Sequence, residues 1–220
     1  MLLDALGTLL ELEPPAPRLR DELGRRFGVE VPLDQARDAI AAEIAYYRGH
    51  LNDGRDPESL AGLRARCAQA LRDALAPEVR ARIPGGGALV EALLASLHFD
   101  PFPDAVRALP ALRARGARLV VVSNWDVSLH EVLERVGLAE ALDGVLTSAE
   151  AGARKPDVAI FERALAVAGV PVAEAIHVGD SPAEDVAGAR AAGIEPVLIR
   201  RDGGPGPGGV RTISSLTELV

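Results

Sequence analysis

Three apolar runs in the chain end in groups that can do chemistry: Leu2 and Leu3 lead into Asp4, RLVVV into Ser123 and Asn124, and AIHV into Gly179 and Asp180. Short unbroken apolar runs suit strands covered on both faces, and in open parallel sheets ligand sites lie beyond the carboxyl ends of the strands. The three ends are therefore expected to meet in one crevice. Asp180 opens the segment GDSPAED, which places a second acid, Asp185, at the start of a helix and within reach of the same space. With Asp4 the two acids make a hard, oxygen-rich pocket of the kind that magnesium prefers. Lys155, in GARKPD, is the only lysine among 24 basic residues, a hint that its ammonium group has a particular use.

The elements that would carry these residues fall into two regimes. From Pro14 to about Leu97 the segments PAPRLRDELGRRFG, PLDQARDAIAAEIAYYRGHL, PESLAGLRARCAQALRDALA and GGGALVEALLASLH space apolar residues at three and four, which predicts helices and no strand. From Phe99 onward helix and strand alternate: the helix FPDAVRALPALRARG, the strand RLVVVSN, a helix from Asp126 as N-cap, the strand GVLTSA, the helix PDVAIFERALAVAG, the strand AIHVGD, the helix PAEDVAGARAAG, then EPVLIR and VRTIS. This is the pattern of a doubly wound, Rossmann-like α/β core. The opening MLL is too short to bury itself alone and must join the same sheet, and three residues before Asp4 make an unusually short central strand. The expected organisation is a core of residues 1–13 and 98–220 with a helical domain, 14–97, inserted after the first strand as a lid. DGGPGPGGV, residues 202–210, reads as a flexible surface loop.

Composition narrows the function classes. A net charge of −8 and 3% aromatics argue against nucleic-acid binding, and Cys67 as the sole cysteine excludes an intramolecular disulfide or a cysteine-built zinc site. No apolar run approaches the roughly 18 residues of a membrane span, and Asp4 falls where a signal peptide would be basic and then apolar. A cytoplasmic protein without membrane or nucleic-acid partners is expected.

The segments DALGTL from Asp4, VVVSNWD around Ser123, RKPD around Lys155 and HVGDSPAED around Asp180, in that order and at strand ends, resemble the haloacid dehalogenase-like hydrolase superfamily over nearly the whole chain. The resemblance implies that Asp4 is a nucleophile, that Ser123 and Lys155 bind phosphoryl oxygens, that Asp180 and Asp185 bind Mg2+, and that the inserted helices are the family's cap. The chemistry asks for the same parts. A carboxylate attacking a phosphate dianion needs a metal and cationic or hydrogen-bonding partners to screen the repulsion. A hydroxyl of Ser123 or Thr8 can hold an equatorial oxygen, Gly7 permits a tight turn after Asp4, and Pro156 in the first turn of a helix would help to aim Lys155. Thr8, Asn124 and, from the inserted helices, Arg48 are the expected substrate contacts.

One position departs from the family's pattern. Its phosphatases usually carry a second aspartate two residues after the nucleophile, as acid for the leaving alkoxide and base for the water, and here that residue is Leu6. The backbone carbonyl of Leu6 would still serve the metal, but losing a positioned acid–base costs on the order of 10²–10⁴ in rate, most for poor leaving groups. The dehalogenase branch also lacks that aspartate, since a halide leaves without a proton, but it typically has an aromatic there and needs no metal. Three readings remain: a magnesium-dependent phosphatase or phosphotransferase acting on a small phosphorylated metabolite through an aspartyl-phosphate on Asp4, a 2-haloacid dehalogenase-type hydrolase, and a non-catalytic binding or scaffold protein. Arg48 and His50, on one predicted helix, are an anion clamp and a substitute proton donor if that helix meets substrate. His130 and His177 read as structural, and Cys67 as a small buried hydrophobe.

Overall fold

Apolar runs without polar alternation are stable only where helices cover both faces of a sheet. The computed structural model, which describes residues 1–220, meets that requirement with six parallel strands. They are β1 (Leu2–Leu3), β4 (Val120–Ser123), β5 (Gly144–Thr147), β6 (Ile176–Gly179), β7 (Glu195–Ile199) and β8 (Arg211–Ile213). The sheet order is β5-β4-β1-β6-β7-β8. Numbered by their place within this sheet, the strands run 3-2-1-4-5-6, the doubly wound arrangement in which the order reverses beside the first strand. The reversal lies between β1 and β6, so the crevice at their carboxyl ends is where a ligand belongs. The two-residue β1 is held on both sides, Leu2 opposite Val120 and His177, and Leu3 opposite Val121 and Val178. On one face Leu2, Val120 and Val122 pack with Ile160, Phe161 and Ala164 of α9 (Val158–Ala168).

The chain folds as two compact units, Met1–Glu11 with Asp100–Val220, and Leu12–Phe99. The second holds helices α1 (Pro15–Phe27), α2 (Leu33–His50), α3 (Pro57–Asp73), α4 (Pro77–Arg80) and α5 (Gly87–Ser96). Leu19, Leu23, Ile40, Leu63, Leu71, Leu89 and Leu93 form its core. Asp56 caps α3 by accepting the Ser59 amide at 2.9 Å, and Gly28 ends α1 in the left-handed conformation that glycine adopts without strain. No helix is long and apolar enough to cross a membrane.

Four local expectations are corrected. The stretch after the tight turn expected at Gly7, for which no strand was expected, holds a short one, β2 (Leu10–Leu12), which pairs with β3 (Phe99–Pro101) where the chain leaves and re-enters the sheet unit. The helix expected from Asp126 starts at Leu129 as α7 (Leu129–Arg135), because Asp126 accepts the Ser128 amide at 2.8 Å and so closes a turn ahead of the helix. Pro156 lies before α9 rather than in its first turn, since Asp157 is the N-cap. PAEDVAGARAAG begins as a π-helical turn, Pro182–Val186, before α10 (Ala187–Ala191).

Within the helical unit one acid is out of place. Glu43 is buried on the face of α2 that also carries Ala36, Ala39 and Ile40. Burial pushes its carboxyl up to about 7, against a partial lowering by a hydrogen bond with Cys67. Between its ordinary 4.5 and about 7 the folded chain holds a proton that the unfolded chain releases, so Glu43 makes stability fall as pH rises through that window. Glu43→Gln is expected to gain up to about 3 kcal/mol over the native chain at pH 8 and nothing near pH 4. Urea unfolding of both chains at the two pH values checks this, and a pH-independent difference would refute it.

Candidate active site

Asp4 directly follows β1 and keeps its register, its amide donating to the Val178 carbonyl at 2.9 Å. Ser123 closes β4, and its hydroxyl donates to Asp4 Oδ1 at 3.2 Å. Lys155 Nζ donates to Asp4 Oδ1 and to Asp185 Oδ1, both at 2.6 Å, with the lysine only 2% exposed. Asp4, Asp180 and Asp185 each offer a carboxylate oxygen, and these oxygens lie within 4.8 Å of one another. The expected convergence of strand ends is therefore present as geometry.

Backbone and small residues create the room for three acids. Successive side chains of a strand alternate between faces, so His177 and Gly179 of β6 share one. A Cβ on Gly179 would lie 2.1 Å from Asp185 Cγ. The missing side chain is thus the space that the Asp185 carboxyl occupies, and on the same face His177 Nε2 meets Asp185 Oδ1 at 2.8 Å. Ser181 adds its amide to Asp185 Oδ2 at 2.9 Å. After Asp4 the chain turns at Gly7, whose φ of +85° suits glycine and whose added Cβ would stand 2.2 Å from Asp180 Oδ2. The Ala5 carbonyl accepts the amides of Thr8, Leu9 and Leu10, and the Gly7 amide donates to Leu10.

The electrostatics follow from sharing one cation. Burial raises Asp4 to about 6, opposed chiefly by the Lys155 charge and assisted by Asp185 and Asp180. Burial would raise Asp185 too, but Lys155 and then the His177 hydrogen bond hold it well below the usual carboxylate range. For Lys155, burial is outweighed by Asp4 and Asp185, and its ammonium is held above its ordinary range. At pH 7 the cluster therefore carries an ionised Asp185, a charged Lys155 and a mostly ionised Asp4.

The other sequence candidates sit differently. Asn124 was expected to touch substrate, but its amide is used on Lys155: Nδ2 donates to the Lys155 carbonyl at 3.0 Å and Oδ1 accepts the Lys155 amide at 2.7 Å. It positions the lysine's backbone. Thr8 is fully buried and its Oγ1 has no hydrogen-bond partner. Leu6 is 39% exposed, an apolar side chain on the turn that follows Asp4. Arg48 and His50 lie at the end of α2 in the helical unit, where His50 stacks on Tyr46 with ring centroids 4.1 Å apart. His130 pairs with Glu150 at 3.0 Å. His177, read as structural, instead belongs to the hydrogen-bond shell of Asp185. Its place two residues before Gly179 on one strand was a usable signal, but only once Asp185 was known to fill that glycine's space.

Parallel strands in this order, with an aspartate, a serine, a lysine and an acidic pair gathered beyond their carboxyl ends, make a doubly wound α/β fold with a carboxylate-lined crevice. A family model for the haloacid dehalogenase-like hydrolases matches residues 1–193, and the chain belongs to that family. It is 48% identical over 99 residues to the bovine haloacid dehalogenase-like hydrolase domain-containing protein 3, covering 45% of this chain and 38% of that protein. It is 34% identical over 221 residues to a phosphoserine phosphatase of Thermus thermophilus, covering 91% and 88%. A solved HAD phosphatase from Thermococcus onnurineus is similar at TM-score 0.68 and 28% identity, covering 99% and 94%. A 2-haloacid dehalogenase from Pseudomonas syringae shares the fold at TM-score 0.66 and 24% identity, covering 99% and 94%.

Removing the shared cation should expose how much the cluster costs. Lys155→Met leaves two buried carboxylates without a counter-charge and is expected to lower unfolding free energy by about 3–5 kcal/mol at pH 7. The deficit should shrink as pH falls from 7 to 5, because without the Lys155 charge that lowers Asp4 the variant's buried carboxyls take up protons more readily than the native ones. Urea titrations at pH 7 and pH 5 test both statements, and an equal loss at the two values would contradict the second.

Proposed function

We propose that the chain is a magnesium-dependent phosphatase or phosphotransferase that works through an aspartyl-phosphate on Asp4, with residues 14–97 as a cap that selects a small phosphorylated metabolite. The observation carrying this reading is the Lys155 ammonium 2.6 Å from both Asp4 and Asp185. The donor set fits Mg2+: the three carboxylates supply hard oxygens that lie within 4.8 Å of one another. Asp4, Asp180, Asp185 and the Leu6 carbonyl would hold the ion, which supplies charge to offset that of the carboxylates and phosphoryl oxygens.

Asp4 Oδ2 attacks phosphorus and the bond from phosphorus to the leaving oxygen breaks. Lys155 spends two of its three N–H donors on Asp4 and Asp185 and keeps the third for a phosphoryl oxygen, and the Ser123 hydroxyl becomes a second donor by turning its one O–H from Asp4 Oδ1 to the phosphoryl group. Water then attacks the phosphorus of the aspartyl-phosphate, releasing phosphate and restoring the Asp4 carboxylate. Leu6 donates no proton, so the leaving group departs as an anion and substrates with acidic leaving groups, aryl and acyl phosphates, are favoured. A cytoplasmic setting belongs to the same reading and is supported by the single, buried Cys67.

Leu6 also fits dehalogenation, because a halide needs no proton. That reading predicts halide release from a short 2-haloacid that persists with chelator. The phosphatase reading predicts hydrolysis of an aryl phosphate that requires Mg2+ and disappears in Asp4→Asn. Retained activity in chelator and in that variant would end it, and magnesium or phosphate binding without turnover would favour a binding protein.

Leu6→Asp restores a proton donor and is expected to raise turnover of alkyl phosphates on the order of 10²-fold or more, and of aryl or acyl phosphates far less. Phosphoserine, the alkyl phosphate in the Thermus relative's name, is a suitable comparator. An equal gain on both substrate types would show that proton transfer is not what the site lacks.

A further inference from the structure

On the side of the sheet unit reached from β7, a second, partly buried ion pair grips the turn that follows Asp4. Arg201, two residues after β7, donates from Nη1 to both oxygens of Asp104, at 2.6 and 2.7 Å. Its Nη2 donates to the Thr8 carbonyl. The guanidinium lies over the Phe102 ring, with Cζ 3.9 Å from the centroid, and the Phe102 amide holds the next carbonyl of the turn, that of Leu9, at 2.9 Å. Asp104, at the start of α6 (Pro103–Ala114), is itself fixed by the Leu216 amide at 2.7 Å and the Ser215 hydroxyl at 3.1 Å.

We propose that Arg201 is a positioning residue for the proposed nucleophile Asp4: held flat by Asp104 and Phe102, it fixes the Thr8 carbonyl and thereby the Ala5–Leu10 turn that carries Leu6 and Gly7. Three arguments support it. A partly buried ion pair contributes little net stability, so a structural role alone accounts poorly for it. The planar guanidinium can serve a carboxylate and a carbonyl at once in a fixed geometry, which a lysine ammonium cannot reproduce. The turn needs such a hold, because Gly7 has the widest conformational choice in it, yet Asp180 packs where a Gly7 side chain would be. A displacement of about 1 Å at such a site costs on the order of 10²-fold in rate.

The inference rests on the proposed nucleophile for its kinetic part, so the test has a part that does not. Amide hydrogen exchange of residues 5–10 in the full chain is compared for the native protein, Arg201→Lys and Asp104→Asn, alongside kinetics with an aryl phosphate and Mg2+. Arg201→Lys keeps a charge for Asp104 but loses the bridge to Thr8. It is expected to speed exchange in the turn about tenfold or more, and to lower kcat about 10- to 100-fold with KM within about twofold. Asp104→Asn retains the Arg201 donor to Thr8 and is expected to show a markedly smaller effect on both. Unchanged exchange in Arg201→Lys, or equal effects in the two variants, would overturn the positioning role and leave a plain ion pair. Should Arg201→Lys not fold, Arg201→Met, which removes the donor to Thr8 and keeps much of the side-chain length, replaces it, and exchange in residues 5–10 no faster than in a control variant of equal global stability refutes the proposal. If the native chain has no phosphatase turnover, the function reading fails while the exchange comparison still decides the role of Arg201.

Discussion

One ammonium group shared by two buried carboxylates is the interaction on which the site depends. Taking charges out of water costs several kcal/mol per ion, and the cost is recovered only where geometry is close and the remaining donors and acceptors are satisfied. Lys155 meets the condition at 2.6 Å to each partner. A compact ammonium with three freely rotating donors suits a point between two acids and an incoming anion better than a guanidinium would. In a chain whose other basic residues are all arginine, the lone lysine stands where that difference counts.

The same constraint explains the glycines and the second layer of polar residues. Three acids can approach one cation only if the backbone yields space, and Gly7 and Gly179 yield it to Asp180 and Asp185 respectively. Once packed so closely, the acids repel one another, and the burden is distributed: Asp185 takes hydrogen bonds from Lys155, His177 and Ser181 and stays ionised, while Asp4 is left with a raised pKa of about 6. Asn124 acts one step further out, on the lysine's own backbone. Arg201, with Asp104 and Phe102, acts on the backbone that follows Asp4.

The parallel sheet and its crevice were legible because they depend on local patterns. Unbroken apolar runs separated by helical periodicity imply doubly wound strands, and chemistry-bearing residues at the ends of those runs must then share an edge. Errors fell where short-range hydrogen bonding competes with periodicity. Asp126 looked like a helix cap but serves the turn before α7, and Pro156 looked helical but precedes the Asp157 cap. β2 and β3 were invisible for a related reason: three-residue strands carry too little alternation to be told from a turn.

The amino-acid order alone pointed to which groups are available and at which edge they stand: Asp4, Ser123, Asp180 and Asp185 by residue type and element pattern, and Lys155 by its rarity and the resemblance of RKPD to the family. Which donor meets which acceptor was not, because it depends on strand register and side-chain packing between positions far apart in the chain. Lys155 and Asp4 are separated by 151 residues, and Arg201 and Thr8 by 193. That Asn124 turns to the lysine backbone, that His177 faces Asp185 across the space left by Gly179, and that Arg201 reaches Thr8 are outcomes of three-dimensional fit, where a distance of 3 Å is decided by the whole sheet and no local pattern records it.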